Sequence, residues 1–139
     1  MKRIVGFASV ALLSILVACG GGGTPKSSST PSQSARISSP AKVIVESPAP
    51  NATVHGSVLT VKLKLLNAVI VPKTSLTISP TTGHIHVSID GQLKAIYAGL
   101  NYQQPGLTPG RHLLTVEFVA ADHGPFNPDV KVSVTFVVV

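Results

Sequence analysis

The stretch Gly83-His84-Ile85-His86-Val87-Ser88-Ile89-Asp90-Gly91 constrains the fold more than any other part of the chain. Ile85, Val87 and Ile89 alternate with His84, His86 and Ser88, the period of two that sends one set of strand residues inward and the other outward. Asp90-Gly91 follows at once and accepts positive φ at both centres of a tight hairpin turn. A strand with two histidines on one face is therefore expected to fold straight back on itself. The surrounding text is of the same kind. Residues 42–46, 58–66, 93–97, 113–120 and 130–138 read as strands, with Val61, Leu63 and Leu65 set against Thr60, Lys62 and Lys64 as the clearest alternation. Turn clusters separate them, beginning with Ser47-Pro48-Ala49-Pro50-Asn51. Residues 67–82 form a long connection in which Leu76-Thr77-Ile78 is predicted as a short edge strand, and residues 99–110 are predicted as a second long loop. Short strands with turn signals between them, and no helical periodicity, predict an all-β fold: an immunoglobulin-like antiparallel β-sandwich over residues 41–139.

The first forty residues are of another character. Lys2 and Arg3 precede an apolar run from Ile4 to Val17, shorter than the ~20 residues a membrane-spanning helix needs and arranged as an export signal. The run ends in Leu16-Val17-Ala18-Cys19, which resembles the bacterial lipobox. That resemblance implies a lipoprotein signal peptide over residues 1–18 and lipid on Cys19, which anchors the chain to a membrane. Gly20, not aspartate, follows the cysteine. In a Gram-negative cell that pattern resembles lipoproteins sent to the outer membrane; otherwise the outer face of the cell membrane is implied. Residues 19–40 are rich in Gly, Ser and Pro, cannot bury enough apolar surface to offset ordering entropy, and are predicted to be a disordered tether. The chain holds a single cysteine, so an intramolecular disulfide and a cysteine-built zinc site are both excluded.

The formal charge of +6 overstates the charge of the domain. Lys2, Arg3, Lys26 and Arg36 lie before residue 41, leaving seven of the 11 basic residues against 5 acidic ones. They form no stripe and have few aromatics among them, so a nucleic-acid surface is not expected. The nucleophile-elbow, zinc-protease and phosphate-loop signatures are absent as well, and catalysis is not expected.

The histidines are the chemically able residues. His55 sits alone in a turn and reads as solvated. His112 shares the inward parity of Leu114, Val116 and Phe118, which predicts a structural corner where a polar ring tip bonds nearby backbone. In an immunoglobulin-like sandwich the third and sixth strands pair antiparallel, which would bring Asp122 and His123 to the end carrying His84. His84 and His86 stand ~6.5–7 Å apart along their strand and could converge on one ion, with His123 or Asp122 as a third donor. Such a set suits copper or zinc. The other reading of the same residues is a solvated histidine pair beside a turn shaped by Asp122 and His123.

Several of these residues fall into a pattern. Thr82-Gly83-His84-x-His86-x-x-Ile89-Asp90, Leu107-x-Pro109-Gly110-x-His112-x-Leu114, His123-x-Pro125 and Asn127-Pro128-x-Val130 together resemble a family of secreted bacterial domains of unknown function with a Thr-Gly-His-His-His-like strand. The sequence departs from the fuller pattern in that Ile85 replaces the middle histidine, Asp122 stands where another histidine often occurs, and residues 101–104 contain none. The resemblance implies an exported immunoglobulin-like domain. The expected function is that of a membrane-anchored, extracytoplasmic binding or accessory domain with an envelope protein as partner. The alternatives are a periplasmic copper or zinc binder using the histidine cluster and a structural envelope lipoprotein.

Overall fold

The structure, a computed structural model, describes residues 36–139. The signal, Cys19 and the tether as far as residue 35 lie outside the described residues. The chain forms β1 (Lys42–Ser47), β2 (Ala52–Val54), β3 (Leu59–Leu66), β4 (Val69–Ile70), β5 (Thr82–Ile89), β6 (Gln92–Ala95), β7 (Asn101–Gln104), β8 (Gly110–Ala120) and β9 (Val130–Val138). They make two sheets, one in the order β1-β3-β7 and one in the order β2-β9-β8-β5-β4, with β6 also paired to β5. The architecture is an all-β sandwich, as expected, although the pairing is mixed. β2 runs parallel to β9, and β4 parallel to β5.

Alternation decides which face of each strand is buried. Leu59, Val61 and Leu63 of β3 meet Ile85, Val87 and Ile89 of β5 and Leu114, Val116 and Phe118 of β8 in one core, while Thr60, Lys62 and Lys64 face solvent. Phe118 stacks on Phe126 with ring centroids 5.5 Å apart; each such buried ring stabilises the fold by roughly 1.5–3 kcal/mol. β5 pairs antiparallel with β8, Gly83 opposite Ala120 and His84 opposite Val119, the pairing the sequence predicts for these two segments, although they are the fifth and eighth strands rather than the third and sixth. Ile89 pairs with Gln92 across the hairpin turn, where Asp90 has φ 53° and Gly91 φ 77°. Both central residues are left-handed, as a turn matching the twist of its strands requires.

Several local expectations are corrected. Residues 76–78 form no strand, because the Ser75 hydroxyl bonds both the carbonyl and the amide of Thr77 and turns the backbone away from sheet pairing. The edge partner of β5 is β4 instead. The loop predicted over residues 99–110 contains β7, which pairs with β3 through Asn101–Gln104. The hairpin return is shorter than predicted: after Ala95 the chain leaves the sheet, and it rejoins where the Ala98 amide bonds the Ile85 carbonyl. The segment expected as tether is joined to the sandwich from Arg36 onward. Ile37 packs on the core, its carbonyl accepts from the Asn127 amide, and the Pro40 carbonyl accepts from Asn67 Nδ2.

Candidate functional site

His84 and His86 point to the outer face of β5, and the turn after β8 brings His123 beside them. That turn is tight: the His123 amide bonds the Ala120 carbonyl and the Ala120 amide bonds the Gly124 carbonyl, with His123 at φ 63°. Two glycines permit the approach. A methyl group at Gly83 would overlap the Val119 carbonyl oxygen, and one at Gly124 would overlap the Arg36 guanidinium. The outer face is closed at this end, so that His84, despite its outward parity, is fully buried.

The rings form a connected set. His84 lies against His123 with centroids 4.3 Å apart and planes inclined by 17°, and Tyr97 meets both edge-on. His86 Nε2 lies 3.0 Å from His123 Nδ1. On its other nitrogen, His123 Nε2 lies 2.9 Å from both the Tyr97 hydroxyl and Thr74 Oγ1. Two proton arrangements satisfy this chain. In one, His86 donates to His123, which donates onward to a hydroxyl. In the other, a hydroxyl donates to His123, which donates to His86. His84 Nε2 donates to the Ala121 carbonyl at 3.2 Å, and its Nδ1 is buried with no hydrogen-bond partner among the described residues.

Burial favours the neutral rings. The His86 pKa is lowered chiefly by desolvation and then by His123 and His84. That of His123 is lowered by desolvation and by His84, with Asp122 acting in the opposite sense. Glu117, directly opposite His86 in register, is raised by desolvation and by Asp129, against the pull of Lys131. The His86 value is thus lowered and the Glu117 value raised, so that two groups of opposite kind on one face are moved toward each other.

The sequence reading groups His84, His86, His123 and Asp122 as metal donors. The three histidines do come together, but Asp122 is engaged elsewhere. Its two oxygens take Arg36 Nη1 and Nη2 at 2.7 and 2.8 Å, one of them also accepts from the Gly124 amide, and its pKa falls to about 2, chiefly through Arg36. Among the described residues no group of three or more His, Cys, Asp or Glu is arranged to hold a metal ion. The ring geometry gives the reason. The His86 and His123 centroids lie 5.3 Å apart with planes inclined by 20°, close to the most that a 3.0 Å nitrogen contact allows. The contact is therefore straight, as a shared proton makes it, whereas two ligands of one tetrahedral ion converge at an angle. His55 is exposed. His112 lies at the other end of β5 and β8, where its Nε2 donates to the Thr108 carbonyl at 2.8 Å. Cys19 lies outside the described residues.

Tyr97, Thr74, Glu117 and Arg36 belong to the site but not to the sequence reading of it. Two of them had a signal: Glu117 shares the outward parity of His86 on the paired strand, and Tyr97 ends the predicted hairpin return, which runs back toward His84. Thr74 and Arg36 reach the site through loop paths that carry no periodicity.

Among known proteins, no curated protein and no solved structure matches the chain. The model of a family of unknown function, DUF6130, matches residues 3–137. With nearly its whole length matched, the chain belongs to the DUF6130 family.

Proposed function

We propose that this protein is an exported, lipid-anchored accessory domain of the bacterial cell envelope that presents the His84/His86/His123 end of its sandwich to a protein partner. One observation carries the reading: exposed apolar side chains lie on the segments bonded to the edge that holds the proton-sharing cluster. Tyr97 is 49% exposed, Ile96 42%, Val69 64% and Leu76 92%. All four belong to segments bonded to this edge. Val69 pairs with Thr82, the Ala98 amide bonds the Ile85 carbonyl, and the Ser75 amide bonds the Ala121 carbonyl. Large apolar side chains gathered around fixed polar groups are what a protein interface uses, and an exposed tyrosine loses little entropy on binding. The partner suited to this surface is itself apolar where it meets these side chains.

Anchoring through Cys19 is tested by radiolabelled fatty-acid incorporation: label in the wild type and none in Cys19→Ser is expected, and label retained in Cys19→Ser would rule out lipid at that residue. Partner binding is tested by co-purification from envelope extract with the wild type and with Tyr97→Ala and Leu76→Asp. A single protein retained by the wild type and lost by at least tenfold in both variants is expected. Equal retention by all three would refute this surface. Copper or zinc binding is tested by calorimetry on the same proteins. Micromolar binding abolished by His86→Ala would require the histidine rings to rearrange and would replace the partner reading.

A further inference from the structure

We propose that His112 is held as an imidazolium and that Asp90, His112 and the Thr108 carbonyl form a proton-held latch at the end of the sandwich away from the histidine cluster. His112 Nδ1 lies 2.7 Å from Asp90 Oδ2 and Nε2 lies 2.8 Å from the Thr108 carbonyl oxygen. A neutral imidazole has one donor and one acceptor nitrogen, a backbone carbonyl only accepts, and an ionised carboxylate only accepts. Both contacts are satisfied together only when both ring nitrogens carry protons. The Leu113 amide donates to the other Asp90 oxygen at 2.9 Å and lowers the pKa of the carboxyl, which favours its ionised form.

The surroundings fit a cation that has its partner and would be costly without it. His112 is 8% exposed, and the ring of Phe136 lies against it with centroids 5.4 Å apart and planes inclined by 27°, where an aromatic face attracts a positive charge. From the turn between β5 and β6 it faces Asp90, and the Lys94 ammonium of β6 acts on that same carboxylate. From the loop before β8 it meets Thr108, and from β9 the uncharged Phe136. Its neighbours on β8, Arg111 and Leu113, are exposed on the opposite parity. Among the described residues Asp90 is the one carboxylate that acts on it. A cavity of about 250 Å³ lined by Asp90, Lys94, Thr108 and His112 gives the ring access to solvent protons.

Three segments meet at this ring: the hairpin turn, the loop into β8, and β8 itself. Losing one proton leaves either Asp90 or Thr108 without its donor, which frees the turn from the loop. The bonds to Asp90 and Thr108 raise the His112 pKa and the Leu113 amide and His112 lower that of Asp90. The latch is therefore fully closed between the unfolded values of about 4 and about 6.5 and opens as pH rises through the raised His112 value. An exported domain meets the pH of its surroundings, and this end stays locked in mildly acidic medium and loosens as the pH rises through the raised His112 value.

The test is a long-range proton–nitrogen NMR titration of the histidine rings in the full chain in detergent micelles, with Asp90→Asn alongside. Two protonated ring nitrogens on His112 near pH 6.5, a midpoint above that of free histidine, and a loss of at least tenfold in its proton affinity in Asp90→Asn are expected. A singly protonated His112 ring at that pH, or a midpoint indifferent to Asp90→Asn, would overturn the latch. If Asp90→Asn fails to fold, the wild-type ring spectrum decides alone.

Discussion

The imidazoles at the two ends of β5 differ in what faces their nitrogens, and so they respond to pH in opposite senses. His86 and His123 have lowered pKa values. Their contribution is present above about pH 6.5 and is lost as pH falls through the lowered values, because the unfolded rings take up protons that the folded ones resist. His112 is raised, so its contribution is present below about pH 6.5 and is lost as pH rises through its folded value. Asp122, held at about 2 by Arg36, adds stability above about pH 4 that disappears between 4 and 2. Thermal melts across pH should therefore show a maximum near neutrality. His112→Gln should remove the decline on the alkaline side and leave the acid side in place; a decline unchanged by that substitution would contradict the assignment. Gly83 makes a second residue-scale case. The Val119 carbonyl occupies the space of its missing side chain, so Gly83→Ala should cost about 3 kcal/mol, measured by urea unfolding. A cost below about 1 kcal/mol would mean that the strands do not approach so closely.

At the scale of elements, the clamp between the start of the domain and the β8–β9 connection holds His123 in place. Arg36 grips Asp122 through two hydrogen bonds and the Pro125 carbonyl through Nε at 2.7 Å. Arg36→Ala should lower stability by about 1–2 kcal/mol and speed amide exchange at residues 121–127 before the rest of the sandwich. Exchange unchanged in that loop would show that the clamp does not order it. This clamp was hidden in the sequence, because a lone arginine after a run of small polar residues has no periodicity to mark it. The strands with strict alternation, β3, β5 and β9, were legible for the opposite reason: each buries a whole face, and a slip of one residue would expose it. β2, β4 and β7 were not. They have 3, 2 and 4 residues, and Asn-Tyr-Gln-Gln becomes a strand only because the exposed edge of β3 supplies partners. The three histidines of the site could be placed from strand pairing alone. The engagement of Asp122 could not, since it depends on Arg36, 86 residues away in the chain.

For the whole molecule, the two ends of the sandwich have different work. The Asp90–His112 end ties turn to loop, while the other end gathers His84, His86, His123 and Tyr97 beside exposed apolar side chains, next to the clamp where the described chain begins. The most direct measurement is photo-crosslinking in the intact native cell, with a photoreactive residue at Leu76 and, as control, at Lys62 on the exposed face of β3. One discrete adduct from position 76, absent from position 62 and lost when Tyr97→Ala is added, is the expected result. No adduct from position 76, or the same adducts from both positions, would contradict a partner at the histidine end.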